Sequence, residues 1–140
     1  MLSPEVKAKD MNTKQIGRFG ERVAERYLKD KGYQILDKNY VFWIPGSPQK
    51  GEIDIVAKKS DIISFIEVKL AKNVWGSPPN ISPEERVNFG KQRKLVRAAE
   101  SWLMARKIPL NSKWQIDVIS VMMDKGKAKI RHFENAIPYC

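Results

Sequence analysis

Two strand-forming runs, residues 52–58 and 62–70, are separated by only Lys59, Ser60 and Asp61. A connection that short builds an antiparallel hairpin, whereas a parallel crossover needs a dozen or more residues. The hairpin carries charge in an unusual place. Alternation along a strand puts Glu52, Asp54 and Val56 on one face and Ile53, Ile55 and Ala57 on the other. On the second strand Ile63, Phe65, Glu67 and Lys69 share a face, opposed by Ile62, Ser64, Ile66 and Val68. A turn at Ser60-Asp61 makes partner numbers sum to 121, placing Asp54 opposite Glu67 and Glu52 opposite Lys69. A turn at Lys59-Ser60 changes the partners and keeps the same faces together.

One face of this hairpin is almost wholly apolar, and the acid-bearing face is apolar at its turn end (Val56, Ile63, Phe65), so both sides are expected to be covered. Two carboxylates about 4 Å apart repel by roughly 4 kcal/mol at an effective dielectric of about 20. Either a divalent ion or Lys69 must neutralise them. An ordinary cross-strand salt bridge is the bland alternative. Carboxylate oxygens with a nearby main-chain carbonyl suit a hard ion such as Mg²⁺ or Mn²⁺.

The flanking segments read more simply. Residues 13–31 form a helix, with Ile16, Gly20, Val23, Ala24, Tyr27 and Leu28 in one stripe and Gly32 to end it. Glu21 sits at the edge of that stripe, able either to lean into the sheet or to pair with Arg18. Residues 33–43 are strand-like, and Pro-Gly-Ser-Pro at 45–48 forces a loop. After the hairpin, residues 71–87 read as a long irregular connection broken by three prolines. A second helix follows, capped by Ser82 or Asn88, with Leu95, Ala98, Ala99, Trp102 and Leu103 as its buried stripe. Lys91 and Gln92 extend that stripe towards the helix N-terminus and point to the core side, where they snorkel or contact phosphate or metal-bound water. Strand-like runs at 114–123 and 128–133 complete the order helix, three strands, helix, two strands.

Charge and composition narrow the function. Of the 140 residues, 26 are Lys or Arg and 16 are Asp or Glu, a net charge of +10, and 42% are hydrophobic, enough for one core. Residues 86–107 alone hold seven basic residues and one acid. Such a stripe attracts a polyanion, nucleic acid before membrane, because it lacks large apolar residues to insert into lipid. The single cysteine, Cys140, and single histidine, His132, give no zinc cluster, so a metal is expected to be held by oxygen and His132 to serve packing. With no apolar leader at residues 1–10 and no run of about 18 apolar residues, the expected location is cytoplasmic.

The run Gly17-Arg18-Phe19-Gly20-Glu21, then Gly32-Tyr33, Asn39, Gly51-Glu52-Ile53-Asp54, Glu67-Val68-Lys69, Trp75-Gly76, Lys91-Gln92, Ile116-Asp117-Val118 and Asn135-Ala136 resembles the YraN-like uncharacterised protein family 0102. That family is similar in turn to the PD-(D/E)xK nuclease-like superfamily, which includes archaeal Holliday junction resolvases and many restriction enzymes. The resemblance implies an α/β restriction-endonuclease-like three-layer core, order αβββαββ, with a mixed central sheet flanked by helices. It implies one nuclease-like domain over residues 13–138 behind a flexible tail at 1–12. It gives Asp54 and Glu67 as metal ligands, Lys69 as the motif lysine and Glu21 as the helix acid completing the site. Where the family usually has Arg two residues after the motif lysine, Ala71 stands here with Lys72 next, so a phosphate contact has moved or gone. Residues 43–48 add about six positions before the acids, a loop that could gate or obstruct the site.

The expected activity is Mg²⁺- or Mn²⁺-dependent hydrolysis of DNA, of branched or structured DNA by analogy with the resolvases, which also admits a homodimer. Asp54, Glu67, the Val68 carbonyl and Glu21 would hold metal, and Lys69 would stabilise charge on the phosphate. Lys91, Gln92, Arg93, Lys94, Arg97 and Lys72 would track the nucleic-acid backbone, and Trp75 would stack on a base or plug its own loop. The rivals are a binding module of the same fold that does not cut, and an adaptor in a DNA-processing complex.

Overall fold

A computed structural model describes residues 12–72, 89–124 and 126–137, with the side chains of 13, 71, 72, 89 and 124 excepted. The first helix, α1 (Thr13–Asp30), begins at a capping box: Asn12 Oδ1 accepts the Gln15 N–H at 2.8 Å, and Gln15 Oε1 accepts the Asn12 N–H at 3.0 Å. That pairing satisfies two of the amide donors that a helix start leaves without partners. Gly32, at φ +92°, turns the chain out of the helix as expected.

Strands β1 (Gln34–Trp43), β2 (Lys50–Lys59), β3 (Ile62–Lys72), β4 (Trp114–Asp124) and β5 (Lys127–Phe133) form one sheet in the order β1-β2-β3-β4-β5. Only β3 and β4 run parallel, and the second helix, α2 (Phe89–Ala105), lies in the connection between them. The chain is thus α/β, with a mixed five-stranded sheet and two helices. No helix among the described residues is long and apolar enough to cross a membrane.

The helices pack on opposite faces. Leu95, Ala98, Ala99, Trp102 and Leu103 of α2 meet Ile53, Val56, Phe65 and Ile116, while Ala24 and Leu28 of α1 meet Ile55, Ala57, Ile66 and Ile119. A bulge at Leu36 turns Asp37 towards α2, where its Oδ2 accepts Trp102 Nε1–H at 3.0 Å and Arg106 Nη2–H at 2.9 Å. Gly51 allows α2 its close approach to β2, since a Cβ there would collide with the carbonyl of Lys94.

The hairpin turns at Ser60-Asp61, with Lys59 facing Ile62 and Ile55 facing Ile66. Strict alternation fails beyond that pair. Val56 and Ile53 both face α2, whereas Ile55 faces α1, so β2 reverses its parity around Asp54. The expected grouping of Ile53 with Ile55 and Ala57 is therefore corrected. The printed ladder stops at Ile55–Ile66, and the side chain of Asp54 takes over: its Oδ2 accepts the Val68 N–H at 2.7 Å. A carboxylate thus fills the place of a backbone partner, opening a gap between two central strands.

Candidate functional site

Three carboxyl groups from three elements meet at that gap. Glu67 stands on the α2 face of β3 and is 6% exposed. Its Oε1 accepts the ammonium of Lys91, from the first turns of α2, at 2.7 Å and that of Lys69 at 3.3 Å. Asp54 lies between the strands, and Glu21 of α1 lines a cavity with it. Gly20, the residue before Glu21, packs against Leu70 and Val68 of β3, and this close contact brings the helix edge to the gap.

The charges explain how the cluster coexists with burial. Burial first, and the Glu67 charge second, push the Asp54 carboxyl up to about 8, with the Val68 N–H working against them. Burial first, and the Glu67 charge second, likewise raise the Glu21 carboxyl. The Lys69 ammonium is pulled down, by burial and then by Lys91 beside it. For Lys91, burial is outweighed by its pairing with Glu67, and its ammonium is stabilised. A proton kept on Asp54 at neutral pH and the two lysines on Glu67 therefore hold the three acids together. The donors are all carboxylate oxygens in a restricted space, which fits a hard dication.

Asp54 is reached from both sides of the sheet. One cavity, of about 560 Å³, has Lys91 and Lys94 of α2 in its wall with Lys50, Glu52, Asp54 and Glu67. On the α1 side a cavity of about 390 Å³ includes Arg18, Glu21, Arg22, Lys38, Asn39 and Asp54. Next to the first lies a third, of about 450 Å³, with Ile44, Gln49, Gly90, Arg93, Lys94 and Arg97 around it.

Glu21, Asp54, Glu67, Lys69 and Lys91 are brought together, and Lys94 shares their cavity. Arg93 and Arg97 face the adjoining one, and Gln92 is half-buried on the same helix. Glu52 does not pair with Lys69; the parity change leaves it with Lys50 at 2.8 Å. Trp75 and the Ser82 and Asn88 caps lie outside the described residues, as does the side chain of Lys72. The segment after β1 is tied to itself by Ile44 N–H to Gln49 O at 3.0 Å and Ser47 N–H to Ile44 O at 3.1 Å, and it forms a wall of the basic cavity. Lys50 had no signal beyond its charge, but its place two residues before Glu52 in the strand could have marked it.

A second polar cluster lies on the α1 face between β4 and β5. Buried Asp117 accepts Gln115 Nε2–H at 3.0 Å and the Asn135 N–H at 2.9 Å on Oδ1, and lies 2.8 Å from His132 Nε2 through Oδ2. His132 Nδ1 is 3.2 Å from the Tyr27 hydroxyl, and the Tyr33 hydroxyl donates to Glu134 at 3.3 Å. Asp117, His132 and Glu134 offer ligand atoms within 4.8 Å of one another and could hold a metal ion. His132 is thus more than packing. The hairpin register, Ile119 facing His132, carried the signal, because Asp117 shares the face of Ile119.

Known proteins place the chain in a family. A protein from Alkaliphilus oremlandii, described as a UPF0102 protein, is 40% identical over 126 residues, which are 88% of this chain and 97% of that one. A UPF0102 protein from Clostridium tetani is 43% identical over 112 residues, 79% and 82% of the two chains. Among solved structures, Pyrococcus furiosus SfsA in complex with Ca²⁺ is 17% identical, covers 88% of this chain and 64% of its own, and has a TM-score of 0.35. That likeness is too distant to assign a fold. The family model of UPF0102, the uncharacterised protein family UPF0102, matches residues 20–121, and the chain belongs to that family.

Proposed function

We propose that the chain is a metal-dependent nuclease acting on DNA, with residues 13–138 as a PD-(D/E)xK-like domain of order αβββαββ. The convergence of Glu21, Asp54 and Glu67 with Lys69 and Lys91 at a gap in the sheet, beside a basic cavity, carries this reading. Asp54 and Glu67, with Glu21 and the Val68 carbonyl, would hold Mg²⁺ or Mn²⁺. When bound, such an ion supplies Lewis-acid polarisation of the phosphodiester and of the attacking water.

The chain's own residues supply the rest. Lys69, its ammonium destabilised by burial and by Lys91, stabilises charge growing on the phosphoryl oxygens and orients the water. Glu21 would bind a second ion or accept a proton through water as water attacks phosphorus, and the leaving oxygen departs and takes a proton from solvent. Lys91, Lys94, Arg93 and Arg97 bind neighbouring phosphates. Gln92, Lys72 and Trp75 would also contact nucleic acid.

A non-catalytic DNA-binding module is favoured by one observation: two ammonium groups already occupy Glu67 Oε1. A cleavage panel of duplex, flap, four-way and single-stranded DNA with Mg²⁺ or Mn²⁺ separates the two. The nuclease reading predicts metal-dependent products that fall about a hundredfold or more in Lys69→Ala and Glu67→Gln. DNA binding without products on any substrate supports the module.

A further inference from the structure

Trp43, at the end of β1, is 61% exposed, and Val41 on the same strand is 41% exposed. Tyr40 and Phe42 between and before them pack towards α2, so Val41 and Trp43 lie on the opposite face, which α1 covers at Ile35 and leaves bare here. The cross-strand partner of Trp43 is Lys50, whose Nζ lies 5.4 Å from the indole centroid, and that of Val41 is Glu52. Lone exposed apolar residues are ordinary. This one differs in its setting, because Lys50 and Glu52 also line the cavity that holds Asp54 and Glu67.

The platform is also firm. Ile44, the next residue, is hydrogen-bonded across the loop to Gln49, and the Gln49 N–H donates to Ser47 Oγ at 3.1 Å. A rigid aromatic loses little entropy when a flat partner stacks on it. Base stacking on an aromatic side chain outweighs an exposed cation–π contact, so a base can take the indole, with the Lys50 ammonium held beside it by Glu52 at 2.8 Å. Lys50 to Asp54 is about 13 Å of strand, within reach of roughly four stacked nucleotides at about 3.4 Å each.

We infer that Trp43, with Lys50, is a stacking platform for an unpaired base, so that the site takes DNA with a single-stranded segment running from Trp43 to the acids. This rests on the DNA reading of the acid site. A duplex, with its bases stacked on each other, presents no free face to the indole, whereas a flap, fork or single strand does.

The test uses the full chain with Ca²⁺ in place of Mg²⁺, blunt duplex and single-stranded or flap oligonucleotides, and 2-aminopurine in the unpaired segment. Trp43→Ala is expected to weaken single-stranded and flap binding by about five- to a hundredfold, to leave duplex affinity within about twofold, and to abolish 2-aminopurine quenching. Trp43→Phe should retain binding and quenching. Equal losses on duplex and single strand, or no loss on either, overturn the inference while leaving the DNA reading in place. A wild-type dimer that Trp43→Ala turns into monomer assigns the patch to a second copy and overturns it too. Wild-type chain that binds none of these DNAs defeats the DNA reading, and the inference with it.

Discussion

Asp54 is the residue on which the chemistry and the stability of the chain meet. Its carboxyl sits in the sheet as a hydrogen-bond acceptor for Val68 and is pushed up to about 8, well above the ordinary value of 3.8. In the metal-free protein the native state therefore holds a proton that the unfolded chain releases near pH 4. Stability linked to that proton is full below about pH 4, falls as pH rises towards 8, and is level above. Asn can still accept from Val68 but cannot ionise. Asp54→Asn should thus be more stable than the metal-free wild type at pH 8 to 9, by about 1 kcal/mol or more, with the difference vanishing near pH 4. Urea unfolding across pH checks this; a variant less stable than wild type at pH 8 would contradict it.

The elements hold this residue by close contact, and at Gly51 the strand β2 leaves no room for a side chain beneath α2. Gly51→Ala must push α2 outward at Lys94 and Ala98, which should cost about 1–3 kcal/mol in urea unfolding and loosen the Lys91–Glu67 pair. An unchanged unfolding midpoint would show that the helix has room to move. The two helices and the hairpin were legible because their signals are local: a stripe at helical period, and three residues with which to turn. The register was legible for the same reason, and with it the approach of Asp54 to Glu67. The gap at Asp54 was not, since alternation assumes an unbroken ladder and a side chain has replaced a rung. Lys91 was placed on the inner side by periodicity, but its partner depended on how α2 crosses the sheet. Asp117 and His132 stand 15 residues apart and meet only through the second hairpin, while Tyr27 joins them from α1.

At the scale of the molecule the net charge of +10 and the basic cavity beside the acids determine how a polyanion approaches. Affinity for a short duplex should fall steeply between about 50 and 200 mM salt, and Arg93→Ala with Arg97→Ala should reduce the log–log slope by about two. An unchanged slope in anisotropy titrations would place the phosphates elsewhere. The acids, by contrast, carry like charges into a confined space and are held there by a proton and two ammonium groups, an arrangement a dication can replace. Calorimetric titration of Mg²⁺ at pH 7 in buffers of different ionisation enthalpy tests that most directly. The expected result is binding to one site with release of about one proton, lost in Asp54→Asn and retained in His132→Gln. Magnesium binding that survives Asp54→Asn, or no binding to the wild-type chain, would contradict it.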